Sequence, residues 1–155
     1  MTVIAIGEDE IAADGLMCFS QERQRTNFKK IIVLNGTIYM LTGKSAIFQH
    51  LIEWHRVGAQ ASDVPPMDKD ENWNLMIMDE CGLNHYSNRS PYPEPLEVPT
   101  AFGCGCEYAL GAMKAGASPR RAVEIACELN VFCGGEIQVV NIAEALGLDR
   151  KEVAE

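Results

Sequence analysis

Thr2 is the side chain of this sequence that is best placed to act as a nucleophile. The chain begins MTVIAIGEDE, and methionine is commonly trimmed before a residue as small as threonine. A threonine hydroxyl is a weak nucleophile until a base takes its proton, and an α-amine, with an ordinary pKa of about 7.7 to 8.0, can be that base near neutral pH. Many proteins carry threonine at position 2 without such chemistry, so the residues around Thr2 must decide.

Asp14 and Lys30 are the two charged residues expected beside Thr2. Asp14 ends the second strand of a predicted hairpin that begins at Thr2, and Lys30 opens the next strand sixteen positions later. A lysine ammonium there would lower the pKa of the hydroxyl and the amine by its charge, and the carboxylate would hold the lysine in place. The alternative is an ordinary surface ion pair at two strand ends.

Two hairpins must position these groups. The runs TVIAI and EIAAD flank Gly7-Glu8-Asp9, a composition that suits a tight turn. Further on, KKIIVLN and TIYMLTG surround Asn35-Gly36, the dipeptide most typical of a two-residue hairpin loop. The sequence therefore predicts paired strands over both segments, with a polar stretch over residues 20–27 between them.

The middle of the chain predicts one helix, a loop and a buried strand. Apolar residues recur at helical spacing over residues 45–57, with Ser45 as a candidate cap. Residues 58–72 are rich in Gly, Pro and charge and predict a surface loop, whereas NLMIMDE predicts a buried strand. Four prolines within residues 82–99 favour irregular structure or an edge strand.

The last third predicts two adjacent helices, a strand and a short terminal helix. The first helix spans residues 107–115 and ends at Gly116, and the second begins at Ser118 with Pro119 in its first turn. Gly134-Gly135 breaks the second helix, EIQVVNI alternates like a strand, and residues 143–155 form the terminal helix. The apolar face expected on the second helix consists of Ala122, Val123, Ile125, Ala126 and Leu129. This order of elements predicts an α+β protein with helices outside two sheet layers.

Composition restricts the class of protein. At 155 residues the chain fits a single domain over residues 1–155, and no apolar stretch approaches the length of a membrane span. A net charge of −9, offset locally only by the pairs Lys29-Lys30 and Arg120-Arg121, argues against a nucleic-acid partner. The start of the chain lacks a basic segment, so we expect a cytoplasmic protein whose six cysteines are thiols.

The cysteines and histidines also allow a metal-site interpretation, which their spacing disfavours. Cys104 and Cys106 are separated by one residue, and the sequence lacks the matching second pair of a structural zinc site. We therefore expect no metal, with Cys104 and Cys133 as packed turn thiols and with His50 and His55 on the solvated faces of the first helix. Tyr108 and Met113, with the small residues near them, could line a ligand groove but more often pack against a sheet or a partner helix.

Three segments of the sequence resemble the proteasome β-subunits and the bacterial HslV peptidase. IAADG followed by NFKKI reproduces the family's spacing of aspartate and lysine behind the threonine. GCGCEYALGAMKAG is similar to the family's Gly-Ser-Gly turn and the Tyr-Ala helix after it, and NVFCGGEIQVV is similar to its later turn with paired glycines. The matches extend over most of the chain.

The resemblance implies a four-layer αββα sandwich of the N-terminal nucleophile (Ntn) hydrolase type. The second central helix would be shortened or missing, because only the Pro-rich loop stands where the family inserts it. The resemblance further implies a threonine-type peptidase in which Thr2 attacks, Lys30 lowers the pKa and Asp14 orients Lys30. A backbone N–H near Gly43, in the LTGK turn, would meet the oxyanion.

The supporting residues depart from the family pattern. Cys104 stands at the serine of the Gly-Ser-Gly turn, and Asn130 and Cys133 replace an aspartate and a serine of the supporting network. Cysteine is only a weak hydrogen-bond donor. The implied alternative is a catalytically silent proteasome-like scaffold, particularly if Met1 is retained.

The resemblance also implies the partners, and we expect no cofactor. The substrate would be a peptide or an unfolded protein, and copies of the chain would form a homo-oligomer, possibly a ring. An ATPase unfoldase is a further implied partner.

Overall fold

The fold is built from eleven strands and four α-helices in the part of the chain that the structure describes. The computed structural model describes residues 2–19, 22–65 and 72–148. The strands are β1 Ile4–Ile6, β2 Glu10–Ala13, β3 Met17–Phe19, β4 Glu22–Arg25, β5 Ile31–Leu34, β6 Thr37–Gly43, β7 Trp73–Asp79, β8 Gly82–Ser87, β9 Ser90–Pro95, β10 Thr100–Phe102 and β11 Gln138–Asn141. The helices are α1 Phe48–Arg56, α2 Cys106–Lys114, α3 Pro119–Leu129 and α4 Ile142–Leu146.

The strands form two main antiparallel sheets and one small ribbon. The four-stranded sheet has the order β10-β1-β2-β11, the five-stranded sheet has the order β5-β6-β7-β8-β9, and β3 pairs with β4. The central strands are apolar at nearly every position because both of their faces are buried. In β6, for example, Ile38 and Met40 face the other sheet, whereas Tyr39 and Leu41 face α1.

Three apolar clusters separate four layers. The first lies between the two sheets and includes Ile4 and Met76, and the second lies between the five-stranded sheet and α1. The third joins the four-stranded sheet to α2 and α3 through small residues such as Ala5, Ala12 and Ala109. The αββα sandwich is confirmed, and the described part of the connection from α1 to β7 contains only a short 3₁₀ turn at Ala61–Asp63.

Both predicted hairpins are confirmed. In the first, Ile4 pairs with Ala13 and Ile6 with Ile11, and the Gly7 N–H donates to the Glu10 carbonyl across the turn. In the second, Asn35 and Gly36 have φ values of 49° and 75°, the left-handed conformation that a two-residue type I′ turn requires.

Two strand predictions were incomplete. Strand β4 occupies part of residues 20–27, which were treated as a polar connection, and it pairs with the apolar β3 as a two-stranded ribbon separate from the two main sheets. Within residues 82–99, β8 is an internal strand, and only β9, with its prolines, is the edge strand. β8 was missed because its composition does not reveal that it pairs with β7 on one edge and with β9 on the other.

Three details of the helices were wrong. Ser45 begins a 3₁₀ turn ahead of α1 and its side chain makes no cap hydrogen bond. Helix α3 ends at Leu129 with Asn130 as its C-cap, before the paired glycines, and Leu129 is 59% exposed. His55 is not on a solvated face, because its Nδ1 lies 3.0 Å from the Tyr39 hydroxyl and burial lowers its pKa. The terminal-helix prediction is confirmed over α4, and residues 149–155 lie outside the described residues.

None of the helices within the described residues is long and apolar enough to span a membrane.

A close crossing of three backbone segments follows β2. The N–H groups of Gly15 and Leu16 both donate to the Gly134 carbonyl, and the Phe28 N–H donates to the Gly15 carbonyl. A Cβ atom at Gly15 would lie 2.5 Å from the carbonyl oxygens of both Thr26 and Glu136. Only glycine lets the chain after Asp14 pass this close to its neighbours.

We predict that Gly15→Ala lowers the free energy of unfolding by about 1–3 kcal/mol, because the added methyl meets backbone atoms that cannot rotate away. The matched control is Gly111→Ala in α2, where an added Cβ meets no heavy atom within 4 Å. The control should be neutral or more stable by about 0.5–1 kcal/mol, because alanine favours the helix. Urea unfolding of both variants measures the difference, and equal midpoints would contradict the crossing's role.

Candidate active site

A buried ion pair between Lys30 and Asp14 lies at one end of the sandwich. The Lys30 Nζ donates to the Asp14 Oδ1 at 2.6 Å, and the two side chains are 4% and 0% exposed. Two charges removed from water in this way are tolerated only when they are paired and hydrogen-bonded. The spacing of sixteen residues seen in the sequence thus corresponds to a direct contact between the two sheets.

Asp14 also fixes the start of β1. Its Oδ1 accepts the Val3 N–H at 3.0 Å, and its own N–H donates to the Val3 carbonyl at 3.2 Å. Its Oδ2 accepts the Gly134 N–H at 3.1 Å. One carboxylate therefore holds the lysine, the residue next to Thr2 and the paired-glycine turn.

Gln138 is a residue of this site that the sequence did not single out. Its side chain reaches from β11 to the backbone of Ile31, accepting the Ile31 N–H at 3.1 Å and donating to the Ile31 carbonyl at 2.6 Å. The Leu41 N–H donates to the Lys30 carbonyl at 3.1 Å. These bonds fix the backbone from the Lys30 carbonyl through Ile31, and no sequence pattern distinguishes such a bridging glutamine from a solvated one.

Thr2, Lys30 and Gly43 line one open cleft of about 280 Å³. Thr2 is a buried residue with 6% of its surface exposed. The remaining walls come from β3, from the segment before β5 and from the turn that leads into α1; the lining residues are Leu16, Met17, Cys18, Phe28, Lys44, Ser45, Ala46 and Phe48. The start of the first hairpin, at Thr2, therefore lies at this cleft, whereas its turn does not line it.

Gly43 ends β6 with a φ of 112°, a conformation that side-chain-bearing residues rarely adopt. A Cβ atom there would collide with the Asn72 carbonyl oxygen of the neighbouring strand segment. The chain turns at this point from the sheet into the cleft wall formed by Lys44 and Ser45. A backbone N–H at such a turn is the type of group that can stabilise an oxyanion.

The Cys104 turn packs directly on Thr2. The Thr2 nitrogen donates to the Cys104 Sγ at 3.3 Å, and that Sγ donates to the Thr2 carbonyl at 3.4 Å. The Gly105 N–H donates to the same carbonyl at 3.3 Å. Gly103 has a φ of 97°, and any Cβ atom there would overlap the Thr2 carbonyl. The turn needs its flanking glycines to approach the threonine.

Asn130 and Cys133 support this turn from the end of α3. The Asn130 Nδ2 donates to the Cys104 carbonyl at 3.1 Å, and the Cys133 N–H donates to the Asn130 carbonyl at 3.1 Å. The Sγ atoms of Cys104 and Cys133 lie 3.6 Å apart. Burial raises the pKa of the Cys133 thiol well above its ordinary range, so this sulfur is protonated at neutral pH.

All seven predicted site residues thus lie at one end of the sandwich, although their roles remain predictions. Met1, whose removal would expose the Thr2 amine, lies outside the described residues. The histidines are elsewhere: His85, for example, bonds to Asn74 in the five-stranded sheet. Among the described residues, no group of three or more His, Cys, Asp or Glu side chains is arranged to hold a metal ion.

Comparison with known proteins finds similarity in structure only. No protein-family model matches the chain, and no curated protein matches it in sequence. Thiobacillus denitrificans BPH in complex with epoxomicin is 19% identical, with a TM-score of 0.66 over 91% of this chain and 98% of that one. A second structure of that BPH is 18% identical, with the same TM-score over 91% and 97% of the two chains. The eukaryotic HslV from Trypanosoma brucei is 14% identical, with a TM-score of 0.62 over 90% and 98%.

These similarities define the class of fold. The chain has the fold of the HslV and proteasome-like Ntn hydrolases, and the resemblance seen in the sequence is confirmed at the level of the fold. At such low identity, the activity and the catalytic threonine are matters for proposal.

We predict that Asp14→Asn lowers the free energy of unfolding by about 3–5 kcal/mol, because it leaves the Lys30 ammonium buried without its counter-ion. Lys30→Met in the same chain should recover part of this loss, since it removes the orphaned charge. The control is Glu53→Gln in the exposed pair with Arg56, at 3.5 Å, which should cost at most about 1 kcal/mol. Chemical denaturation of the four proteins tests this, and a loss no larger than the control's would exclude the buried pair as a stabilising contact.

Proposed function

We propose that this protein is a threonine-type endopeptidase that cleaves peptide bonds with Thr2 after removal of Met1. The observation that carries the proposal is the shared cleft: Thr2, Lys30 and Gly43 line it together, and Asp14 pairs with Lys30 behind it. Nucleophile, cation and a candidate oxyanion donor thereby meet at one opening. The fold, which is that of the proteasome-like hydrolases, supports the same class of reaction.

In the first step, the free Thr2 amine accepts the proton of the Thr2 hydroxyl, and the Oγ attacks the substrate carbonyl carbon. The Lys30 ammonium stabilises the developing alkoxide by its charge. A backbone N–H at the Gly43 turn stabilises the oxyanion of the tetrahedral intermediate. The protonated amine then gives its proton to the leaving amine of the peptide, and an ester remains on Thr2.

In the second step, the same amine takes a proton from water, which attacks the ester carbonyl. Collapse of this second intermediate breaks the C–O bond to Thr2 and returns the proton to the threonine oxygen. The released product is a carboxylic acid, and Thr2 is regenerated. No metal or cofactor takes part in this scheme.

The walls of the cleft favour an apolar substrate side chain. The rings of Phe28 and Phe48 pack at 5.8 Å between their centroids, and Leu16, Met17 and Ala46 add further apolar surface. Among the described residues, the charged side chains that line the cleft are those of Lys30 and Lys44, and none of the lining residues is a carboxylate. A basic side chain would therefore lose its hydration and meet a like charge in this cleft.

The proposal extends to assembly and location. The substrates are peptides or unfolded proteins, and the chain acts in the cytoplasm as a homo-oligomer, in which a ring would enclose the clefts and keep folded proteins away from them. An ATPase that unfolds substrates would be a partner of such a ring, because folded proteins could not reach the enclosed clefts. The support for these points is the family resemblance of the sequence together with the fold.

The proposed function predicts a covalent adduct with epoxomicin, the compound present in one of the BPH structures of the same fold. The full chain is incubated with epoxomicin and its intact mass is measured. We expect one adduct on chains that lack Met1 and none on Thr2→Ala, because the epoxyketone requires both the threonine hydroxyl and its free amine.

Lys30→Met tests the role of the Lys30 ammonium, and Lys114→Met is its matched control. Both substitutions remove one ammonium, and Lys114 lies at the C-terminal end of α2. Lys30→Met should slow the adduct at least tenfold, whereas Lys114→Met should react at the parent rate; circular dichroism confirms that both are folded. Full retention of Met1 with no adduct would instead favour the catalytically silent scaffold.

The proposed function also predicts a preference for the substrate side chain on the amino side of the cleaved bond. Fluorogenic peptides with leucine or phenylalanine there should be cleaved about 10–200-fold faster, by kcat/KM, than the matched arginine peptide. Lys44→Glu should narrow this ratio, and Lys114→Glu, with the same change of charge outside the cleft, should leave it unchanged. A parent enzyme that prefers arginine would contradict the assignment of the cleft.

A further inference from the structure

Two thiols meet directly behind the Thr2 backbone. The Sγ atoms of Cys104 and Cys133 are 3.6 Å apart, although their residues are 29 positions apart in the sequence. A disulfide requires about 2.05 Å between its sulfurs. The pair is therefore about one and a half ångströms from bonding distance while both sulfurs are thiols.

The two cysteines differ in their surroundings, so only one of the two side chains is free to move when the sulfurs approach each other. Cys133 is 4% exposed and is held in the apolar cluster between the four-stranded sheet and the helices α2 and α3. Cys104 is exposed at the turn ahead of α2. A Cβ atom at Gly105 would lie only 3.0 Å from the Cys133 Sγ, so the missing side chain of this glycine makes room for the buried sulfur beside the turn. Closure is thus a movement of the Cys104 side chain towards a fixed partner.

We propose that Cys104 and Cys133 form a redox-active dithiol that a peroxide converts to a disulfide, and that this modification switches off Thr2. The covalent step stands on the thiol geometry alone, whereas its effect on cleavage rests on the proposed function.

The chemistry balances with hydrogen peroxide as the oxidant. The accessible Cys104 thiolate attacks one peroxide oxygen, the O–O bond breaks, and the hydroxide that leaves takes up a proton to become water. The Cys133 sulfur then attacks the sulfenic sulfur of Cys104, the S–O bond breaks, and the hydroxyl leaves as water with the Cys133 proton. Two thiols and one peroxide give one disulfide and two waters, and the sulfurs lose two electrons to the peroxide.

Burial of Cys133 sets the order of these events. A buried, protonated thiol is a poor nucleophile towards an oxidant in solution, so the exposed sulfur reacts first and the buried one resolves it. Cys127 also lies near the group, but burial raises its pKa to about 11, and the sulfur–sulfur contact recorded among the described residues is that of Cys104 with Cys133.

The consequence for Thr2 follows from its two contacts with Cys104. The Cys104 S–H donates to the Thr2 carbonyl, and a disulfide has no S–H to donate. The same sulfur accepts the hydrogen of the Thr2 nitrogen at 3.3 Å, and closure onto Cys133 displaces it. The nitrogen concerned is the proposed catalytic base, so its orientation changes with the redox state of the dithiol.

The test begins with a readout that does not depend on activity. The reduced full-length protein is titrated with hydrogen peroxide, quenched with N-ethylmaleimide under denaturing conditions, and analysed by intact mass and peptide mapping. We expect a chain with two fewer maleimide adducts and a linked peptide pair containing Cys104 and Cys133, both reversed by dithiothreitol.

Three variants define the pairing. Cys104→Ser and Cys133→Ser should each abolish the linked pair, whereas Cys81→Ser, which removes an exposed thiol at the β7–β8 turn, should retain it. Because Cys104 is exposed, its variant remains informative if Cys133→Ser fails to fold. Oxidation of Cys104 to the sulfinic acid without a crosslink, or its pairing with another cysteine, would overturn the proposed dithiol.

The effect on Thr2 is then measured on the purified disulfide form. Its rate of epoxomicin adduct formation should fall at least tenfold and recover with dithiothreitol, and Cys104→Ser should keep its own untreated rate after peroxide. An unchanged rate in the disulfide form would overturn the switch. A disulfide in a chain that takes no adduct even when reduced would instead reject the proposed function while the modification site stands.

Discussion

The ion pair between Asp14 and Lys30 is the contact on which the site depends. Asp14 follows a strand of the four-stranded sheet and Lys30 precedes a strand of the five-stranded sheet, so the pair joins the two layers where the cleft opens. Its charges are out of water, and either one alone would be strongly unfavourable there. The packing of the two sheets and the position of the Lys30 ammonium therefore depend on the same contact, because a shift of one sheet along the other would leave two buried charges without their partners.

Backbone contacts carry this constraint to Thr2. The Asp14 carboxylate accepts the N–H of Val3 and that of Gly134, and Gly15, immediately after it, passes against the carbonyls of Thr26 and Glu136. These backbone segments lie so close together that there is no room for a side chain at position 15. This explains why a glycine is required there although it does not line the cleft. The position of Thr2 is therefore fixed largely by hydrogen bonds and close contacts of main-chain atoms.

The sequence predicted those features that depend on local chemistry. The Asn35-Gly36 turn and the start of α3 at Ser118 and Pro119 each have a cause within a few residues. The contact of Asp14 with Lys30 joins two hairpins, and their spacing was noted because it resembles that of a known family. Other features depend on tertiary contacts and were missed. Gln138 is bonded to a strand 107 positions away, and His55 became half-buried because Tyr39 lies across from it on the sheet. β8 was missed for a similar reason, since pairing on both of its edges, rather than its composition, makes it a strand.

The thiols at positions 104 and 133 show where this site can have a thiol in place of a hydroxyl. A thiol is a weaker hydrogen-bond donor than a hydroxyl, so the contacts of Cys104 with Thr2 add little energy by themselves. Thr2 is nevertheless held on both sides by stronger bonds: the Gly105 N–H bonds to its carbonyl, and Asp14 holds the next residue. The frame therefore does not need a hydroxyl at position 104 to place the threonine. Unlike a hydroxyl, a sulfur at position 104 can form a disulfide when an oxidant is present and return to a thiol when it is reduced, while the surrounding backbone stays in place.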